Sequence, residues 1–265
     1  MLNKLTLLGL FSVIVAAAVH AAPVGNTMAP QLIQEGFLIS SDSWVDFRVG
    51  YEGDFVGDAR LEQTDQGSGR VDTYQQYTNA ATVTLNLLDR LDLFGVFGSS
   101  RVCCDWRFTS GTTITRIQLE TLYHFLWGAG ARGILFEWGK ICLGLGGRYS
   151  FSNYRPSWLT TNGTPVSVSG ARVVWREWQV DLDISYNIDI FTPYLGVKYS
   201  NALAKIGTFS TPISGSLLGL NQFESRTPVG IFIGCSISNC KYFMLNIEGR
   251  LVDEDAVTIS GDLRF

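Results

Sequence analysis

Five cysteines are the side chains of this 265-residue chain with the most distinctive chemistry. An odd number of thiols leaves at least one without a partner in the same chain, which allows a disulfide bond to another chain. We favour the adjacent Cys103 and Cys104 for this role, because a predicted turn at 98–100 precedes them. Cys235 has the same parity as Ile231 and Ile233, so the alternative for Cys235 is a small apolar residue that faces lipid. The disulfide candidates are Cys103, Cys104, Cys142, Cys235 and Cys240.

Catalysis or metal binding would have to involve histidine, and the chain has only two. His20 lies in an N-terminal segment that we expect to be removed, which leaves His124 as the candidate base of a serine hydrolase. One histidine and no paired Cys-x-x-C offer no recognisable zinc site. Residues 128–133 match G-x-G-x-x-G, but a predicted strand follows them where a dinucleotide site needs a helix. We therefore expect no metal, no cofactor and no enzymatic activity.

Charged side chains alternate with apolar ones along the chain, which predicts strands with one polar and one apolar face. From Trp44 to Phe55 the odd positions are mainly apolar, and the even positions carry the charges. The pattern is clearest from Glu177 to Asp189, where apolar residues occupy every even position and polar residues every odd one. Similar alternation recurs up to the last residue. No sustained helical period accompanies it beyond the N-terminal segment.

The first 21 residues have the organisation of a secretory signal peptide. Lys4 supplies the positive charge, residues 5–19 are apolar, and Val19 and Ala21 occupy the −3 and −1 positions of a cleavage site. The predicted division is a signal peptide at 1–21 and a mature domain at 22–265. The longest uncharged run of the mature part, 206–223, contains proline and several glycines and does not suit a membrane helix.

The composition narrows the choice of fold and partner. Charged residues make up only 17% of the chain and its net charge is −4, which argues against a nucleic-acid partner. Few charges and long alternating strands in an exported chain favour a transmembrane antiparallel β-barrel over a soluble sandwich. At about 10 residues per strand plus turns, the mature part supplies roughly 12–16 strands. The polar segments 57–70, 157–170 and 201–227 are the predicted outer loops.

The alternation also assigns charged side chains to the interior of this all-β barrel. Such side chains would set the selectivity of a pore, whereas the simpler interpretation is that many pair across strands and stabilise the wall. Phe265 ends the last strand on the lipid-facing side, as expected of a barrel-assembly signal. The predicted pore-lining residues are Asp46, Arg48, Glu52, Asp54, Arg116, Glu120, Arg148, Asp181, Asp183, Lys198, Glu248, Arg250, Asp262 and Arg264.

A series of ordered sequence blocks covers nearly the whole mature chain. They are APVGN at 22–26, RVGYEGDFV at 48–56, LDLFG at 91–95, GAR at 130–132 leading to Gly139, EWQ to SY at 177–186, FTPYLGVKYS at 191–200, RLVDE at 250–254 and the final RF. Together they resemble the chlamydial major outer membrane protein family, a set of porins. Typical members are longer, so this chain resembles a short member with reduced variable loops.

The resemblance implies a trimeric porin of about 16 strands in the bacterial outer membrane. Its partners would be membrane lipid, two further copies of the chain, disulfide-linked cysteine-rich envelope proteins, and the small hydrophilic solutes and ions that diffuse through it. The chain departs from the family pattern because the cysteine cluster expected between Ile39 and Val45 is missing, and residues 138–140 read WGK where Cys-Gly-Cys is typical. The alternative function is a structural envelope protein, cross-linked by disulfides, with little or no channel activity.

Overall fold

The computed structural model describes residues 22–33, 35–36, 43–64, 68–110, 112–206 and 222–265. These residues form one short helix and a single antiparallel sheet of fifteen strands. The elements are α1 (Ala29–Leu32), β1 (Val45–Ala59), β2 (Leu61–Gln63), β3 (Ser68–Leu87), β4 (Leu91–Ser110), β5 (Thr113–Thr121), β6 (His124–Trp138), β7 (Ile141–Tyr154), β8 (Pro156–Thr161), β9 (Thr164–Pro165), β10 (Val173–Tyr186), β11 (Phe191–Ile206), β12 (Gln222–Ser225), β13 (Val229–Ser238), β14 (Phe243–Leu251) and β15 (Glu254–Arg264).

Ten of the described strands close into a ring. Its order is β1-β15-β14-β13-β11-β10-β7-β6-β4-β3, and β3 pairs with β1 to complete it. The remaining five, namely β2, β5, β8, β9 and β12, lie outside this ring. The chain is therefore a closed antiparallel β-barrel, as predicted. Its wall has ten strands among the described residues, fewer than the expected number of about 16.

Strand length explains the smaller number. The sequence estimate assumed about 10 residues per strand, whereas the ring strands run from 9 residues in β14 to 20 in β3 and β4. A strand of 20 residues is about twice as long as a bilayer requires. The far part of β4 therefore projects beyond the membrane band, and β5 pairs with that part.

The two ends of the barrel differ in their connections. The lower end holds the start of β1 and the end of β15, and it has short turns at 88–90, 139–140, 187–190 and 239–242. Leu88 and Asp89 adopt positive φ angles of 58° and 51°, as in the type I′ turns that match the twist of a hairpin. Short turns are typical of the periplasmic end. The described parts of the predicted outer loops lie at the opposite, upper end, although β2, β8 and β12 run through them, and residues 65–67 and 207–221 of these loops lie outside the described residues.

The outer surface of the ring is apolar because the predicted alternation is present in the strands. In β10, Leu182 and Ile184 point outward with 39% and 57% of their surface exposed, while Asp181 and Asp183 point inward and are buried. Exposed aromatic side chains such as Tyr186 lie near strand ends, where membrane barrels carry their aromatic girdles. No helix of the described residues is long and apolar enough to span a membrane.

Candidate functional site in the barrel interior

The ring strands point most of the predicted pore-lining side chains into the barrel. Alternate residues of a strand face opposite sides of the sheet, so one parity of each ring strand faces the interior. Twelve of the fourteen predicted residues are buried there: Asp46, Arg48, Glu52, Asp54, Arg148, Asp181, Asp183, Lys198, Glu248, Arg250, Asp262 and Arg264.

The prediction is wrong for Arg116 and Glu120. Both lie on β5, which is outside the ring, and both side chains are exposed. Arg116 pairs with Asp105 of β4 on that outer face. The apolar side of β5 faces inward, where Ile117 and Leu119 are buried. The alternation separates the two faces of a strand. It does not tell whether the apolar face meets lipid, as in the ring strands, or a protein core, as in β5.

An ion-pair network in the upper half of the interior joins four ring strands, β1, β11, β14 and β15. Arg250 donates from Nη2 to Asp54 at 2.7 Å and from Nε to Glu254 at 2.6 Å. Lys198 lies 2.5 Å from Glu254 and 3.0 Å from Asp253. Asp253 belongs to the turn between β14 and β15, where burial raises the pKa of its carboxyl against the opposing effect of Lys198. We call these five residues the upper network.

A second network lies near the lower end. Asp92 accepts hydrogen bonds from Arg48, from Arg132 at 3.0 Å and from the Asn86 amide at 2.8 Å. Arg264 pairs with Asp46 at 3.1 Å. These charge-assisted bonds cross-link β1, β3, β4, β6 and β15 from the inside. Between the two networks, Arg148 binds Glu52 in a bidentate pair at 2.7 and 2.8 Å.

Residues 22–33, which we call the N-terminal segment, lie inside the barrel. Its tip binds Glu248 of β14, whose two carboxylate oxygens accept the backbone N–H groups of Val24 at 3.0 Å and Gly25 at 2.9 Å. Gly25 has a φ of +74°, a conformation that glycine adopts without strain. The Tyr194 hydroxyl donates to the same carboxylate at 2.9 Å. The segment therefore occupies space that an open pore would leave to water.

Further contacts fix the middle of this N-terminal segment. The side chain and backbone N–H of Thr27 both donate to Asp183 of β10. Asn26 donates to Ser236 of β13 at 3.0 Å. Opposite Thr27, Gly144 of β7 has no side chain, and a Cβ atom there would overlap the threonine side chain. A glycine in the wall thus makes room for the segment.

The lower part of the segment carries α1 and is held by its carbonyl groups. Arg48 donates to the Ala29 carbonyl at 3.0 Å, and Ser238 donates to the Leu32 carbonyl at 2.6 Å. Arg264 donates to the Ile33 carbonyl. The arginines therefore bind carboxylates of the wall and carbonyls of the segment at the same time. The segment enters the barrel at the lower end, since Ile33 forms a bridge with Cys240 in the turn between β13 and β14.

Apolar side chains fill the upper end of the interior. Tyr74 stacks on Trp175 with ring centroids 4.9 Å apart, and Trp106 meets Phe223 edge to face at 5.6 Å. Strands outside the ring add Leu61, Ile117, Leu119, Leu159 and Phe223 to this cluster. Four of the five additional strands therefore cover the upper mouth with a hydrophobic core, as a soluble domain does.

The five cysteines are all unpaired. The predicted turn at 98–100 is wrong, because these residues lie inside β4 and Cys103 and Cys104 continue that strand. Cys142 is fully buried beside the N-terminal segment, whereas Cys240 is exposed in a lower-end turn. Among the described residues, histidine, cysteine, aspartate and glutamate side chains form no group of three or more that could hold a metal ion.

Sequence reasoning missed several buried charges and the whole N-terminal segment. Asp92 occupies the polar parity of the block at 91–95, so its alternation was a usable signal. The same holds for Glu177 on β10, which is buried in line with Asp181. The segment at 22–33 has no period that could indicate its position, because Gly25, Asn26 and Thr27 bind residues more than 100 positions away.

Comparison with known proteins gives consistent results. A family model described as "Chlamydia major outer membrane protein" matches residues 159–214. The major outer membrane porin of Chlamydia trachomatis serovar B is 25% identical over 379 aligned positions, which cover 94% of this chain and 96% of that protein. The major outer membrane porin of Chlamydia muridarum is 24% identical, with the same two shares covered.

A structural comparison finds the COG4313 outer membrane channel from Pseudomonas putida, with a TM-score of 0.42, 11% identity, and 83% of this chain and 95% of that chain covered. The sequence alignments are longer than this chain, so the porins to which it is similar contain segments that it lacks. The chain is similar to the chlamydial major outer membrane porins over nearly its whole length, which confirms the resemblance found in its sequence.

Proposed function

We propose that the chain is an outer-membrane porin through which small hydrophilic solutes and ions diffuse passively. The observation that carries the proposal is the row of inward-facing charged side chains inside a closed barrel whose outer face is apolar. A polar interior replaces the hydrocarbon barrier, and the apolar outer band holds the barrel in lipid. The chlamydial proteins to which the chain is similar over nearly their full length are major outer membrane porins, which supports the same function.

Passage through this interior requires the N-terminal segment to shift. Two small cavities run beside its tip. One is lined by Pro23 and Gly25 together with Arg132 and Asp262, and the other by Ala22 with Glu177. Both cavities are lined mainly by polar wall residues, which suits water and ions. Displacement of residues 22–33 would join them along the barrel axis.

The protein is a bacterial outer-membrane β-barrel, and we propose that it reaches the membrane after cleavage following Ala21. The predicted signal peptide, 1–21, lies outside the described residues. A homotrimer is the expected assembly, and chemical cross-linking of the refolded protein tests it. Membrane lipid and permeating solutes are the remaining proposed partners.

We do not expect enzymatic activity. His124, the candidate base, lies at the first residue of β6, and its ring nitrogen is 3.2 Å from the carbonyl oxygen of Arg155. A backbone carbonyl does not act as the nucleophile or the orienting carboxylate of a catalytic triad. A lipid-ester hydrolysis assay checks this expectation, and activity that His124→Ala abolishes would contradict it.

A disulfide-linked structural role remains the alternative function, and the exposure of Cys240 makes it testable. If the protein forms intermolecular disulfides, we expect Cys240→Ser to remove the reductant-sensitive bands on non-reducing gels of native envelopes. Cys142→Ser is the matched control, because the Cys142 thiol is buried inside the barrel and should leave the bands unchanged. Bands that persist in Cys240→Ser would assign the linkage to another cysteine.

Single-channel recording tests the porin function. We expect the refolded full mature chain in planar bilayers to give discrete conductance steps, measured with and without a reductant. Circular dichroism and heat-modifiable migration on gels establish that the barrel has folded. Absence of steps from folded protein, in both conditions, would favour the structural alternative.

A further inference from the structure

The interior of the barrel carries more acids than bases. Among the described residues, eleven acidic side chains are buried against five basic ones, and the partly buried Arg132 of the network near the lower end adds a sixth base. The acids are Asp46, Glu52, Asp54, Asp92, Glu177, Asp181, Asp183, Glu248, Asp253, Glu254 and Asp262, and the bases are Arg48, Arg148, Lys198, Arg250 and Arg264. The interior wall is therefore negative beyond what the overall charge of −4 indicates.

This excess is concentrated on one strand. The two networks and the Arg148 pair account for most of the acids. Glu177, Asp181 and Asp183 form no ion pair among the described residues, and all three lie on the inward face of β10, so we call them the acidic stripe. They are between 1% and 4% exposed. The stripe runs along the barrel axis, since the direction of a strand follows that axis with a tilt.

Further oxygen atoms on the same face of β10 have no partner. Gln179 Oε1, Asp181 Oδ1 and Ser185 Oγ are buried and accept no hydrogen bond among the described residues. Unpartnered buried oxygens are costly unless a donor or a cation reaches them. Carboxylate, amide and hydroxyl oxygens are also the groups with which proteins replace the hydration shell of hard cations. The inward face of β10 thus carries a row of oxygen atoms of the kinds that bind hard cations.

The N-terminal segment covers this row and forms hydrogen bonds with it. Thr27 donates to Asp183 through its backbone and side chain, and the N–H groups of Val24 and Gly25 donate to Glu248 of β14 across the interior. Gln179 donates its amide to the Pro23 carbonyl at 3.2 Å. When residues 22–27 leave, the acids lose these donors, and water and mobile cations replace them.

We infer that the acidic stripe of β10 makes the pore selective for small cations once residues 22–27 have moved off it. The inference rests on the proposed porin function and adds its substrate class. Charges that crowd a narrow part of a channel determine selectivity more than the total charge does. Unpaired carboxylates attract cations and repel anions, whereas the paired acids of the two networks contribute little net field.

The test is the reversal potential in planar bilayers under a KCl gradient. We expect the full mature chain to prefer K⁺ over Cl⁻, and the double variant Asp181→Asn with Asp183→Asn to move the permeability ratio toward unity. Glu120→Gln is the control, because this acid is exposed on β5 outside the ring and its loss should leave the ratio unchanged. Glu177→Gln provides a second variant of the stripe if the double variant does not fold.

A further variant tests the covering role of the N-terminal segment. Gly144→Val places a side chain where Thr27 lies, so we expect more open time with the cation preference retained. Two results with conducting protein overturn the inference. One is a permeability ratio that stays unchanged in both stripe variants, and the other is a shift of this ratio in Glu120→Gln as large as that in the stripe variants. Absence of conductance in the folded chain and in Gly144→Val overturns the porin function and the inference together.

Discussion

Replacing Arg250 with methionine is expected to lower the free energy of unfolding of the barrel by about 3–5 kcal/mol. The guanidinium is fully buried and binds Asp54 and Glu254 at once. Methionine fills similar space but supplies no charge, so Asp54 loses its only ion-pair partner among the described residues and Glu254 keeps only Lys198. Breaking a buried pair from one side is costly because the remaining charge is desolvated without compensation.

Urea titration of the refolded protein in lipid vesicles, followed by tryptophan fluorescence, measures this loss. Arg107→Met is the control, because Arg107 pairs with Asp72 at 2.5 Å but is 47% exposed. Solvent screening limits such a surface pair to about 0–1 kcal/mol. Similar losses in the two variants would show that the upper network does not behave as a buried ion-pair network.

Alternation predicted the faces of the ring strands because the period of a strand is fixed by its geometry. For β1 and β10, one face meets lipid and the other the interior, so the apolar parity is the outward one. β5 reverses this relation. Ile117 and Leu119 are buried over the upper mouth, and their polar neighbours face solvent. A strand outside the membrane band follows the rule of a soluble sheet, and alternation alone does not distinguish the two cases.

The N-terminal segment could not be predicted because nothing local determines its position. Thr27 reaches Asp183, which lies 156 residues further along the chain. The usable signal was indirect, in the glycines of β7. Gly144 and Gly146 share the inward parity, and each leaves space that another residue fills, Thr27 in one case and Asp181 in the other. Inward glycines in a barrel strand indicate that something approaches the wall closely.

The ion-pair networks and the N-terminal segment together suggest how a narrow barrel could conduct. Ten strands enclose little more space than side chains fill. The ion-pair networks link the strands of the wall to one another, and breaking them would lower the stability of the barrel. We therefore expect them to stay in place when the pore opens. The segment is held by hydrogen bonds, mostly to its backbone, and by the apolar packing of Met28, Leu32 and Ile33, but it forms no ion pair with the wall among the described residues. A conducting path therefore opens most easily along residues 22–33 and past the acidic stripe of β10.

Replacing Ile247 with arginine is expected to destabilise the folded barrel by about 2–4 kcal/mol in lipid. Ile247 is the central residue of the nine-residue β14 and points outward, with 45% of its surface exposed. Its neighbours on the adjacent strands are Cys235 and Ile259. A guanidinium at this depth meets hydrocarbon on every side and must carry water or headgroups inward to remain charged.

Leu251→Arg separates this effect of depth from a general effect of charge. Leu251 also faces outward, but it is the last residue of β14, where an arginine reaches the interface and the cost falls to about 0–1 kcal/mol. Urea titration in vesicles measures the free energy of unfolding of both variants. The difference between them should disappear in detergent micelles thin enough for water to reach position 247. Equal stability of both variants in lipid would mean that the outward face of β14 does not meet the hydrocarbon core, and the membrane orientation argued from the alternation would be wrong.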